Sequence, residues 1–128
     1  MCIRIVQLGT ARLPDEGVRI GTVRRPPRGV PKAEFATRDY YDVWLPNLSP
    51  SAELMAQGKA VESLADWDRF ERSFKAEMNE SNTAKVLDLL VALSKTANFS
   101  VGCYCEDASR CHRSVLRQLL IQRGADVK

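Results

Sequence analysis

Val101-Gly102-Cys103-Tyr104-Cys105-Glu106-Asp107-Ala108-Ser109-Arg110-Cys111-His112-Arg113 is the stretch on which the fold turns. A run of small, β-branched and aromatic residues, Phe99 to Cys105, ends inside it, and an amphipathic helix begins near Ser109. Strand then helix is half of a βαβ unit, the repeating element of a parallel sheet. Three of the four cysteines and the single histidine lie here. The order therefore places thiols, an imidazole, a carboxylate and guanidiniums at the carboxyl end of a strand, where open α/β sheets bind their ligands.

Working outward, Cys2 to Leu8 reads as a first strand, with Ile3, Ile5, Val6 and Leu8 around Arg4 and Gln7. Pro14-Asp15-Glu16-Gly17 is a turn cluster, and Val18 to Val23 alternates with period two as a second strand. Arg24-Arg25-Pro26-Pro27-Arg28-Gly29-Val30-Pro31 excludes regular structure but is stiffened by its prolines. Tyr40 to Leu45 is a short aromatic strand stopped by Pro46. A helix is expected after Ser49, with Pro50 in its first turn and Gly58 at its end. A second starts at Ser63 with a capping-box-like pattern and aligns Leu64, Trp67, Phe70, Phe74 and Met78 on one face. A third, Thr83 to Thr96, is apolar nearly all round and predicts deep burial. The last helix carries Val115, Leu116, Leu119 and Leu120 and is closed by Gly124, before a short strand at Ala125 to Val127. Strands alternating with helices predict a single compact three-layer α/β domain over residues 1–128, with a mostly parallel sheet flanked by helices.

The chain has 128 residues, 45% hydrophobic and 27% charged, which is an ordinary globular composition. Its net charge of +3 is mild, and the asymmetry is concentrated in Arg19, Arg24, Arg25, Arg28, Lys32 and Arg38. No apolar run has membrane-spanning length, and the first residues do not form a secretory signal, so a cytoplasmic location is expected. Cysteines in that compartment are normally reduced.

Ser109 is placed to cap the last helix, whose free N–H groups favour an anion, and Arg110 and Arg113 add guanidiniums that fit carboxylate or phosphate. The cysteines leave three readings open. Cys103, Cys105, Cys111 and His112 could ligate a metal, but Cys111 and His112 as neighbours on a helix point about 100° apart, so no metal and no cofactor are expected. Cys105 or Cys111 could be a nucleophile beside arginines, with His112 as base and Glu106 as acid or base. The thiols could also simply line a pocket. Whether the domain is an enzyme stays open.

Cys105-Glu106 followed by Cys111-His112-Arg113 resembles the "C-E…C-H-R" ending of the YeaO-like proteins, a family of uncharacterised domains. Arg25 to Lys32 is similar to that family's Pro-Arg-Gly loop, and Tyr41 to Leu54 to its "P-S-x-E-L" segment. The resemblance runs through nearly the whole chain, most directly at Arg28, Gly29, Lys32, Pro50, Ser51 and Leu54, with Pro26 where a tryptophan is common. It implies a compact α/β fold and carries no established activity. Together, the residues and the resemblance predict one pocket between the arginine loop (Arg24, Arg25, Arg28, Lys32, with Trp44 nearby) and the junction at Ser109, Arg110 and Arg113. Its expected guest is a small anion, phosphorylated or nucleotide-like. The competing readings are a nucleic-acid-associated module built on the basic loop and Trp44, and a thiol-based redox or sulfur-transfer protein. No membrane partner is expected, and the oligomeric state is not legible.

Overall fold

A computed structural model describes residues 1–107 and 110–128. Strands β1 (Ile3–Gln7), β2 (Val18–Gly21), β3 (Val43–Trp44) and β4 (Phe99–Cys103) form one sheet in the order β1-β4-β2-β3. Every pairing is parallel. β4 is central, with Val101 opposite Ile5 on one side and Ile20 on the other. All five β4 residues are buried, as expected of a strand covered on both faces. Val127 adds a single parallel bridge to Ile3, so the expected last strand is reduced to one pair.

The helices are α1 (Ala52–Lys59), α2 (Leu64–Met78), α3 (Ser81–Leu93) and α4 (His112–Gln122). Their inward residues, among them Leu54, Phe70, Phe74, Met78, Leu87, Leu90, Val115, Leu116 and Leu120, share one core with Ile3, Ile20, Phe99 and Val101. These strand residues stand on one face of the sheet. The other face, bearing Arg19, Gly21 and Ser100, is covered by the irregular segments around Glu16 and Tyr41. The three layers are thus helices, sheet, and a cover without α-helix. Gly17 immediately precedes β2 with φ +78°, and a β-carbon there would run into the Asn98 carbonyl oxygen. Only glycine meets both demands.

Several expectations need correction. Ser51, not Ser49, caps α1, accepting from the Leu54 N–H, because Pro50 stands before the helix. Gly58 lies within α1, where Phe70 packs against the space a side chain would take. Ser63 caps α2 as read, accepting from the Asp66 N–H, but Leu64 beside it is 73% exposed and takes no part in the core. α3 is not buried all round: Leu87 and Leu90 face inward, while Leu89 is 65% exposed. An apolar composition marks both faces of a helix alike, and only the packing decides which one meets the core.

Arg19 corrects the reading of the basic segment. It is fully buried, and its Nε and Nη2 donate to the two Glu16 carboxylate oxygens at 2.7 and 2.9 Å. Its Nη1 donates to the Thr10 and Asp39 carbonyls at 2.8 and 2.7 Å, and the Ser100 hydroxyl donates to Glu16 at 2.8 Å. Burial alone would raise the Glu16 pKa, but the hydrogen bonds from Arg19 and Ser100 outweigh it and hold the carboxyl below its ordinary range.

Candidate functional site

The carboxyl ends of β2 and β4 open into a cleft of about 850 Å³. One wall is the arginine loop. It is held by three anchors: the Trp44 indole N–H donates to the Val23 carbonyl at 2.7 Å, the Arg24 Nε to the Pro50 carbonyl at 2.8 Å, and the Tyr104 hydroxyl to the Arg25 carbonyl at 2.8 Å. Tyr104 immediately follows β4 and packs edge-on to Tyr40, so it ties the loop to the end of the central strand. The opposite wall is apolar, with Met55 from α1 and Trp67 and Phe70, ring-stacked at 5.1 Å, from α2. At the base are Cys103, Cys105, Arg110, Cys111 and His112.

The base is made by the way α4 begins. Cys111 is not helical: it occupies the cap position with extended φ −131° and ψ 149°. The backbone therefore turns between Cys111 and His112, and both side chains reach the end of β4. The Cys103 and Cys111 sulfurs stand 2.6 Å apart, and His112 Nδ1 is 3.7 Å from the Cys111 sulfur. This overturns the geometric premise that the two residues diverge as helical neighbours. His112 is buried, packs edge-on to Phe74, and holds the Thr22 carbonyl at 2.7 Å through Nε2. Burial lowers its pKa, so the ring is neutral; a carbonyl can only accept, so Nε2 carries the hydrogen and Nδ1 presents its lone pair to the thiols.

Hydrogen bonds from the Cys103 and Cys111 thiols pull the Cys105 thiol far below its ordinary pKa against the effect of burial. The bond with Cys105 raises Cys103 to about 11, and the bonds with Cys103 and then Cys105 raise Cys111.

The structure sorts the sequence-predicted residues. Arg24, Arg25, Arg28, Cys105, Arg110, Cys111 and His112 line the cleft together. Lys32 sits in an exposed single turn, Lys32–Glu34, away from it, and Trp44 is spent on anchoring the loop. Arg113 is buried and donates to the Cys105 carbonyl at 2.6 Å and the Glu106 carbonyl at 3.3 Å; it lines no part of the cleft. Glu106 meets it through the backbone, not through the carboxylate. Ser109 lies outside the described residues. Lys59, Tyr104, Met55 and Trp67 were not singled out for the site, and Trp67 read as core. Only the position of Tyr104 between two site cysteines signalled its place.

Residues 3–124 match the sequence model of the family described as the active DUF488-N3 subclade, DUF488-N3a. The chain belongs to this family. The match spans the arginine loop, the cleft and α4, in agreement with the YeaO-like resemblance. Comparisons with curated proteins and with solved structures give no match. No described helix of this DUF488-N3a domain is long and apolar enough to cross a membrane.

Proposed function

We propose that the DUF488-N3a cleft binds a small anionic ligand, phosphorylated or nucleotide-like. One observation carries this reading: among the described residues the cleft is lined by Arg24, Arg25, Arg28, Lys59 and Arg110 and by no aspartate or glutamate. Cations gathered around a concavity without carboxylates raise the local concentration of anions. Arginine forks suit phosphate oxygens in particular. The apolar wall of Met55, Trp67 and Phe70 offers a face for a base or another flat ring. The volume is that of an ordinary small-molecule site. The thiols and imidazole at the base, and the family's description as active, agree with a reactive end to the site.

Calorimetric titration with adenosine monophosphate, adenosine and inorganic phosphate tests the reading. The monophosphate is expected to bind tightest, since it uses both walls, and the Arg25→Ala/Arg28→Ala variant to lose at least about tenfold of that affinity. Binding that this variant leaves unchanged, or no binding of any phosphorylated compound, refutes it. Binding of single-stranded RNA with a steep salt slope, in place of the monophosphate, would favour the nucleic-acid alternative.

A further inference from the structure

We propose that Cys103, Cys111 and His112 form a binding site for a zinc-class metal ion, with a coordination position facing the cleft. The proposal goes beyond the anion reading and does not depend on it. The three donor atoms, two sulfurs and Nδ1, all lie within 4.8 Å of one another, and all three residues are buried. Two soft thiolates and one imidazole are a ligand set that selects zinc over hard cations.

The geometry suits an ion. Zinc–sulfur bonds of about 2.3 Å and zinc–nitrogen bonds of about 2.0 Å at tetrahedral angles put sulfur and nitrogen ligands roughly 3.6 Å apart. Cys111 Sγ and His112 Nδ1 already stand at 3.7 Å. The two sulfurs, at 2.6 Å, spread by about 1 Å to take up their tetrahedral separation of roughly 3.8 Å. Both belong to free cysteines, so nothing covalent holds them together.

The second observation is the histidine's other nitrogen. A metal-ligating histidine normally donates its remaining N–H to a carbonyl or carboxylate, which fixes the tautomer and the ring. His112 does so through Nε2 to Thr22, whose own N–H and hydroxyl bond to the Gly102 carbonyl at 2.9 and 3.0 Å. The imidazole is thus locked with its lone pair toward the thiols.

On binding, the two thiols release their protons to solvent, the two sulfurs and Nδ1 each donate an electron pair, and no redox partner is needed. Three protein ligands and one remaining position are the pattern of catalytic rather than structural zinc. That position lies on the cleft side, because Cys103, Cys111 and His112 all line the cleft. Cys105 stands outside the three-ligand set but beside the Cys103 and Cys111 thiols, so Cys105→Ser tests whether it closes that position.

Protein purified in reductant without chelator is loaded with zinc, desalted and analysed for metal; in parallel, apoprotein is titrated with cobalt and followed by its thiolate charge-transfer absorption. The expected result is about one ion per chain, with tetrahedral cobalt bands in wild type and in Cys105→Ser. Cys111→Ser should lose the bands and at least about a hundredfold of the affinity. Absence of metal from the reduced wild type overturns the proposal, as does full retention in Cys111→Ser. A Cys103–Cys111 disulfide that forms in place of metal uptake, detected as a mass loss of two protons and resistance to alkylation, also overturns it. Equal loss of metal in Cys105→Ser overturns the open position and makes the site a closed four-ligand one. The cobalt titration on wild type needs no variant to fold, and it reads metal whether or not phosphate or a nucleotide binds.

Discussion

Replacing Arg19 by methionine should be among the most damaging single changes in this domain. The substitution keeps an unbranched side chain of similar reach but removes the guanidinium that grips Glu16 with two bonds of 2.7 and 2.9 Å. Glu16, 2% exposed, then keeps only the Ser100 hydroxyl at 2.8 Å and the Leu13 N–H at 3.4 Å. Unit charges about 4 Å apart interact by about 4 kcal/mol at an effective dielectric near 20, and removing one partner of a buried pair costs about 3–5 kcal/mol. The two figures agree because the loss is mostly that of leaving a charge buried and uncompensated. The Thr10 and Asp39 carbonyls also lose their donor, but they lie in part-buried surroundings and can turn to water. Urea unfolding followed by circular dichroism measures the change, expected as a lower midpoint at constant slope. The double change Glu16→Leu/Arg19→Met should cost less than Arg19→Met alone, since both charges leave together. A loss below about 1 kcal/mol in the single variant, or a double variant that costs the sum of two singles, would refute the reasoning.

The same pair makes stability pH-dependent. Glu16 has a folded pKa below its unfolded value near 4.3, so its contribution is complete above that value and is lost as the pH falls through the folded pKa; Asp42 adds the same sign, because the Arg12 hydrogen bonds outweigh its burial. Acid titration of the unfolding midpoint should therefore fall more steeply below about pH 4 in wild type than in Glu16→Gln. Arg113→Ala should cost about 1–3 kcal/mol by removing two hydrogen bonds, each worth about 0.5–1.5 kcal/mol net, yet retain the calorimetric response to adenosine monophosphate. Loss of that response at unchanged stability would show that Arg113 reaches the ligand. Gly17→Ala should destabilise by more than about 1 kcal/mol, since its φ of +78° and the Asn98 carbonyl both oppose a β-carbon; a neutral result by thermal melting would show that the loop relaxes freely.

Much of the architecture was legible in the chain because it rests on local pattern. The β-branched runs at Ile3, Val18 and Phe99, the cap at Ser63 and the stripe through Phe70, Phe74 and Met78 each report the period of their own element, 2.0 or 3.6 residues. The junction after β4 was equally legible as a place, because strand-then-helix order fixes which end of the sheet it occupies. What each polar residue does there was not. Arg19 and Arg25 are alike in the sequence, yet one is sealed against Glu16 and the other lines the cleft. Cys111 and His112 diverge if both are helical and converge only because the helix starts at His112 rather than near Ser109, with Cys111 still extended. Arg113 invited an anion, yet it is buried and its Nη2 is turned to the carbonyls of Cys105 and Glu106. Periodicity is a property of neighbours along the chain, so the sequence by itself determined the strands, the helices and the end of the sheet that carries the site. Burial and hydrogen-bond partnership depend on segments far apart in the chain, 90 residues in the case of His112 and Thr22, so only the tertiary structure decided which charges and thiols face the cleft.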